Sequence, residues 1–443
     1  MTTRLRLGVA LVLWVGTPAA FALDLLQAYE AAQRHDATWL AAQARAAAGQ
    51  ERLPQAEAAL RPNVSLTASR ALNELSTRST SSAPPAADRY PSGTYSLALR
   101  QPLINLSLRA QRARAQAQTD EASATLRLEQ QNLALRVIGS YLEALSAQDE
   151  VALVTAQTAF YTRQLEAARK LFASGAGTRT DMDEVQAKLD MARALELETR
   201  QLVALALRKL QVLVREPFGM LAPLNPARLL RVAPAEAALD DHIARAEQSS
   251  PELLVARAQQ AAAAQEVQRL QSGHYPTLDA IAQWSRGDRD NTNAPSYRFA
   301  NKSIGVQLTV PIYSGGGLSS QVRQAQAELE SSTQVLDALR QDLGVRLHKE
   351  HRGVIDGLGR ISALETAERS AAQVLTATQK SYAGGSRTAL DVLNAEQQRA
   401  AVVRDLARTR YAVLLSRARL LSLTDQLDTS ALSEMNASFG DSN

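Results

Sequence analysis

Apolar positions along this 443-residue chain follow two rhythms. In the first they recur at mixed spacings of three and four, as in Leu128, Leu135, Ile138, Leu142 and Leu145, and again in Val392, Val403, Leu406, Val413 and Leu420. That spacing lays a packing stripe along an α-helix, as in coiled coils. No proline occurs between Pro102 and Pro217 or after Pro311, so nothing forces these stretches to break. They are rich in Ala, Leu, Gln, Glu and Arg, residues that lose little on entering a helix. At 1.5 Å per residue, Leu106 to Phe172 predicts a helix of roughly 100 Å. Leu318 to Tyr382 predicts a similar one, although Gly344, Gly353, Gly357 and Gly359 each weaken it by about 1 kcal/mol relative to alanine. Such helices outrun any compact domain.

The second rhythm has period two, the mark of strands with unlike faces. Val64, Leu66 and Ala68 alternate with Ser65, Thr67 and Ser69, and Tyr95, Leu97 and Leu99 with Ser96, Ala98 and Arg100. Later, Leu278, Ala280, Ala282 and Trp284 alternate, then Ile304, Val306, Leu308, Val310 and Ile312 against Ser303, Gly305, Gln307 and Thr309. This predicts strand pairs at about 62–71 with 94–104 and 276–286 with 302–313. The polar runs STRSTSSAPPAADRYPSG and RGDRDNTNAPSYRF read as surface hairpin loops.

Both rhythms are written twice. LFASGAGTRTDM at 171–182 lies over SYAGGSRTALDV at 381–392 with a spacing of 210, which sets Gly175 on Gly385, Thr178 on Thr388 and Asp181 on Asp391. Pro62 falls on Pro276 at a spacing of 214, and Pro102 on Pro311 at 209. The matched segments keep their order, so the chain is an internal duplication. Expected boundaries are a first repeat at 23–214, a proline-rich linker at 215–240, a second repeat at 241–425 and a tail at 426–443. Each repeat runs helix, strand pair, long helical hairpin, with hairpin tips at about 172–180 and 382–388.

Composition narrows the setting. Arg4 and Arg6 precede the apolar run LGVALVLWVG, and AFA at 20–22 supplies small residues for cleavage, so residues 1–22 read as an export signal too short to span a bilayer. The chain has no cysteine, which excludes a disulfide framework, a thiolate metal site and a lipoprotein anchor. With 49 basic and 45 acidic residues charge is nearly balanced and gives only a weak cue for nucleic acid, and Arg109, Arg112 and Arg114 read as a solvated helix face. One apolar and one polar strand face, with Tyr90, Trp284, Tyr297 and Phe299 near strand ends, fit an outer-membrane barrel with aromatic girdles. Four strands cannot close a barrel and open edges are not tolerated in lipid, so closure demands several copies of the chain.

Over essentially all of its mature length the chain resembles the TolC family of outer-membrane channel proteins. The carrying residues are LPQAEAALRPNVSL and QSGHYPTLDA leading into strands, VPIYSGG returning from strand to helix, and YAGGSRTALDVLNAEQ at a hairpin tip. The resemblance implies a mainly α fold with membrane β: a trimer in which each protomer gives four strands to a twelve-stranded barrel and helices to a coiled-coil tunnel. It implies a periplasmic adaptor and an inner-membrane pump of ABC or RND type as partners, contact with outer-membrane lipid, and an outer-membrane location with a long periplasmic extension. Carried over residue by residue, Tyr382 and Arg387 occupy positions that hold Asp181 and Thr180 of a neighbouring coil in the closed state, and Asp391 a position of an acidic selectivity ring. One turn on, Asn394 stands where the family has a second aspartate, while the first repeat offers Glu184. Gly175, Gly177, Gly384 and Gly385 mark the tips where the family docks its adaptor.

Catalytic readings find little support. His348 and His351 in HKEH lie one turn apart but lack the HExxH pattern and a third ligand. SGGG at 314–317 lacks the lysine and hydroxyl residue that end a phosphate loop, and isolated serines show no hydrolase motif. The expectation is a passive exit duct for efflux or type I secretion, with no cofactor and no active site. The alternative is an exported coiled-coil scaffold that conducts nothing.

Overall fold

The structure, a computed structural model, describes residues 22–77, 86–232, 238–289 and 297–440. Nearly all of the expected export signal and the centres of both expected strand loops lie outside the described residues. Three short helices, α1 (Leu25–His35), α2 (Ala37–Gln50) and α3 (Arg52–Ala58), lead into strands β1 (Asn63–Thr77) and β2 (Ala86–Ile104). A hairpin of two long helices follows, α4 (Leu106–Ala173) and α5 (Arg179–Val214). After α6 (Pro226–Val232) the pattern returns as α7 (Leu239–Ser249), α8 (Pro251–Gln271), β3 (Thr277–Arg289), β4 (Tyr297–Thr309), α9 (Gly317–Ala383) and α10 (Ala389–Leu423). A last helix, α11, spans Thr429–Asn436.

At 68 and 67 residues, α4 and α9 reach roughly 100 Å each. Helix α4 packs against α5, α8 and α10, and α9 against α8 and α10, so the two repeats share one bundle. No described helix is long and apolar enough to cross a membrane.

The four strands form one antiparallel sheet in the order β1-β2-β3-β4. Its register decides what each face carries. Val64 pairs with Leu99, Leu99 with Ala282 and Ala282 with Ile304, giving an apolar row across the sheet. The next residues in the same register, Ser65, Ala98, Gln283 and Ser303, then Thr67, Ser96, Ser285 and Asn301, form polar rows on the other face. On the apolar face Ile304 is 90% exposed, and Leu66, Val306 and Leu308 are also bare. That is the outward band of a membrane barrel, with its polar face toward a lumen. Strands β1 and β4 each have only one neighbour in the sheet.

The strands depart from their expected limits. β1 runs to Thr77 and β2 starts at Ala86, because Asn73 pairs with Tyr90 and Glu74 with Arg89 well inside the polar stretch. An Arg89–Glu74 ion pair at 3.1 Å and an Asn73 amide donating to Ser92 Oγ at 2.8 Å hold this polar extension. Cross-strand pairing outweighs loop-like composition there. Conversely β4 stops at Thr309, where Pro311 removes a ladder donor.

The expected tail is part of the core. Asp428 caps α11, and Leu432, Met435 and Phe439 are buried. The Phe439 ring meets Tyr141 of α4 edge-on at 5.3 Å. The Tyr141 hydroxyl lies 3.0 Å from the Leu23 carbonyl and 3.2 Å from that of Ala222, and burial pushes it well above its ordinary range. Leu23 bridges Leu221, Leu224 bridges Phe439, and Leu25 N–H donates to Asn436 at 3.0 Å. The first described residues, the linker and the last helix thus clasp the long helices at their waist.

Phe439 is 1% exposed, so Phe439→Ala is expected to cost about 3–5 kcal/mol through lost burial and an unfilled cavity. A clear fall in the thermal midpoint, followed by circular dichroism, checks this; an unchanged midpoint would return residues 426–443 to the status of a tail.

Candidate gate at the helical tips

Both tips are built by the same local chemistry. In the first, α4 ends as Gly175 N–H donates to Phe172 and Ala176 N–H to Leu171; in the second, α9 ends as Gly385 N–H donates to Tyr382 and Ser386 N–H to Ser381. Gly175 and Gly385 share φ +76°, the left-handed conformation that ends helices and that a side chain disfavours. Each following helix then opens with a capping box. Thr178 accepts from Asp181 N–H while Asp181 accepts from Thr178, and Thr388 and Asp391 do the same. Such a reciprocal cap satisfies two otherwise orphaned donors. The repeated Gly, Thr and Asp therefore have a complete local cause.

Beneath the tips a small core joins the hairpins. Phe160, Tyr161 and Leu165 of α4, Val185 and Leu189 of α5, Leu375 of α9, and Val392 and Leu393 of α10 are buried together, with Tyr382 packed against them. Tyr382 is thereby set near Asp181, and burial first, then that carboxylate, raise the affinity of its hydroxyl for the proton. A polar tie adds to this core, Lys188 reaching Gln397 at 2.9 Å; nearer the waist, Arg408 reaches Glu150 at 2.9 Å and Tyr411 donates to Asp149 at 2.5 Å.

Within one protomer Arg387 does not meet Asp181 or Thr180. Its guanidinium lies 3.8 Å from Asp391, while one Asp181 oxygen is engaged by Thr178 and Thr180 is exposed on the first turn of α5. Glu184 is half-buried and Asn394 exposed. Gly175, Gly384 and Gly385 are exposed at the ends, with Phe172 and Leu390 bare beside them, and Gly177 sits close under Leu171.

Sequence reasoning passed over Glu396. It is buried on α10, one of its oxygens lacks a hydrogen bond, and Arg399 stands 3.6 Å away. Burial pushes its carboxyl above the usual range, against the pull of Arg399, and neighbouring Tyr161 is raised by its own burial first and then by Glu396. A carboxylate three and four residues past Leu393 and Val392, in step with their buried stripe, was the available signal.

Of the HKEH pair, His348 is exposed on α9, and His351 lies against buried His242 of α7, with ring centroids 5.8 Å apart.

A duplicated helix, strand-pair and hairpin order, one amphipathic four-stranded sheet and paired tips are the features against which known proteins compare. The sequence matches the family described as outer membrane efflux protein over residues 28–214 and 242–425. The chain belongs to the outer membrane efflux protein family. The alkaline protease secretion protein AprF of Pseudomonas aeruginosa is 33% identical over 426 residues, 95% of this chain and 88% of that one. The outer membrane protein TolC of Vibrio cholerae is 29% identical over 441 residues, covering 99% and 98%. The solved outer membrane protein VceC of Vibrio cholerae shares the fold with a TM-score of 0.76 at 21% identity, over 91% and 97% of the two chains. As an outer membrane efflux protein the chain is an exit duct for efflux or type I secretion, with its sheet in the outer membrane and its long helices in the periplasm.

The caps give two expectations. Thr388→Ala removes a helix N-cap and is expected to cost the tip about 1 kcal/mol, read as faster amide exchange at the start of α10. The Asp391 carboxyl is held below the usual carboxylate range by the Thr388 N–H and hydroxyl, then by Arg387. A depressed folded value stabilises above the unfolded one and is lost as pH falls through the folded value. Protection at the first turn of α10, taken relative to the intrinsic exchange rate at each pH, therefore falls below about pH 4, and Asp391→Asn abolishes that step; an identical acid response in the variant contradicts the capping role.

Proposed function

We propose that three copies of this chain close their sheets into a twelve-stranded barrel over a continuous helical tunnel. The observation that carries this reading is the sheet of four strands with free β1 and β4 edges and one apolar face. A β1 edge meeting the β4 edge of the next copy satisfies both rows of backbone groups, and rotation closes the ring. The duct is passive: an inner-membrane pump supplies energy, and a periplasmic adaptor docks at the tips, where Gly175, Gly177, Gly384 and Gly385 keep the surface low beside Phe172 and Leu390. The pump belongs to the ABC class in this reading, since the likeness to AprF and to the proteases secretion protein PrtF of Dickeya chrysanthemi, 30% identical over 91% of this chain, favours an exported polypeptide as cargo.

The tips form the gate. Tyr382 beside Asp181 and Arg387 beside Asp391 place donors and carboxylates where neighbouring coils approach, and Arg387 and Tyr382 link across to Thr180 and Asp181 when the mouth is shut. Such contacts at a wet surface are weak, which suits a latch that a partner releases. Three Asp391 carboxylates around a narrow bore favour cations, with Glu184 supplying the second layer that Asn394 lacks. An exported scaffold would have no use for a bare apolar strand face on a polar lumen face.

Planar-bilayer recording tests the reading. The purified protein is expected to form cation-selective channels of low resting conductance. Arg387→Ala is expected to raise that conductance several-fold, and Asp391→Ala to weaken cation preference. A variant R387A with unchanged leakage removes Arg387 from the latch, and a protein that never conducts favours the scaffold.

A further inference from the structure

The apolar face of the sheet ends in unpaired positive charge. In the register of that face Lys302 stands beside Trp284, Arg286 beside Tyr95, and Arg70 and Arg298 lie one row farther from the helices. All four cations are exposed, and none has an ion-pair partner among the described residues. The one carboxylate in these rows, Asp288, stands opposite Arg298 in the register but leans over Gly93, and no ion pair joins the two among the described residues. Farther out, Arg89 is paired with Glu74 at 3.1 Å. The rows nearest the helices on this face, from Leu278 and Leu308 to Val64 and Leu99, carry no charge.

Position fixes what these cations meet. From Thr309 to Ala300 the strand climbs ~30 Å along its axis, or about 23 Å at a 40° tilt, close to the ~25 Å apolar band of a membrane barrel. A lipid-facing Arg or Lys is costly at the bilayer midplane but costs little at the interface, and the aromatics Trp284 and Tyr95 mark the interface on the same rows. The end remote from the periplasmic helices faces the outer leaflet. Guanidinium forks bind phosphate in two-pronged fashion, with Lys302 adding a point charge.

We propose that Arg70, Arg286, Arg298 and Lys302 form a collar that holds the phosphate groups of the glycolipid in the outer leaflet. This rests on the barrel reading above: closure sets the β1 edge that carries Arg70 against the β4 edge of the next copy, which carries Arg298 and Lys302, and an anion held there bridges the seam. The collar fixes the depth of the barrel and braces its seams. The uncharged inner end of the same face makes no such demand on the inner leaflet.

The test inserts the intact protein into phosphatidylcholine vesicles with or without bis-phosphorylated lipid A, or its dephosphorylated form, and reads lipid A retained after detergent purification and the midpoint of heat dissociation. The wild-type protein is expected to retain the phosphorylated form and gain thermal stability from it. The variant R70Q/R286Q/R298Q/K302Q loses retention by the order of fivefold per cation removed yet inserts and conducts normally in phosphatidylcholine alone. R89Q, which touches a paired arginine, retains lipid like the wild type. Equal retention by the wild type and the fourfold variant overturns the collar. So does equal retention of the dephosphorylated form, an equal gain from phosphatidylglycerol at matched charge, or the same gain from inorganic phosphate alone. Failure to insert or conduct in plain phosphatidylcholine sinks the barrel reading instead, through a separate readout.

Discussion

Backbone hydrogen bonding at the two edges of the sheet is the constraint on which the rest of the molecule depends. Strands β1 and β4 each leave one side of the ladder without a partner in the sheet, and their apolar face shows Ile304, Val306 and Leu308 to the surroundings. Hydrocarbon offers no donor or acceptor to replace the missing bonds, so the edges must find strands. Water in turn rejects the apolar face. Both demands are met together only by a closed ring of strands in a membrane, and the register that puts Ser65, Gln283 and Ser303 on the opposite face fills that ring with water.

The helices inherit this geometry. Because each strand pair flows directly into a long helix, through Asn105 into α4 and through Gly315 and Gly316 into α9, the bore set by the barrel continues into the bundle. Mid-length, Tyr141, Phe439 and the segment around Leu221 clasp α4 within the largest buried cluster. At the far end the two hairpins share a small core around Val185, Leu375 and Val392 and a polar tie. Stability is thus concentrated at the waist and thin at the tips.

Much of this was legible in the sequence because periodicity reports burial. The long stripes, the alternating strands and the 210-residue echo of glycine, threonine and aspartate each follow from local backbone chemistry that two helical hairpins must repeat. Strand ends were less legible, since Asn73 and Glu74 look like loop residues and are kept in register only by partners on β2. The role of 426–443 was hidden for a related reason: Leu432, Met435 and Phe439 are too few to form a pattern, and their burial depends on Tyr141, nearly three hundred positions away. At the tips the sequence marked Asp181 and Asp391 as gate and ring residues, and what the structure shows of each is a helix cap. Arg387 points to its own Asp391, a local pairing that four-residue spacing permits and that a link between coils must compete with. Glu396 escaped notice because a single carboxylate in a buried stripe looks like any surface glutamate until its neighbours are known.

The protein mass of the detergent-extracted particle tests the edge constraint most directly. Light scattering corrected for bound detergent should give three times the mass of one mature chain, with no smaller species that stays folded in membrane. A monodisperse single chain, stable in water without detergent and indifferent to lipid, would contradict it.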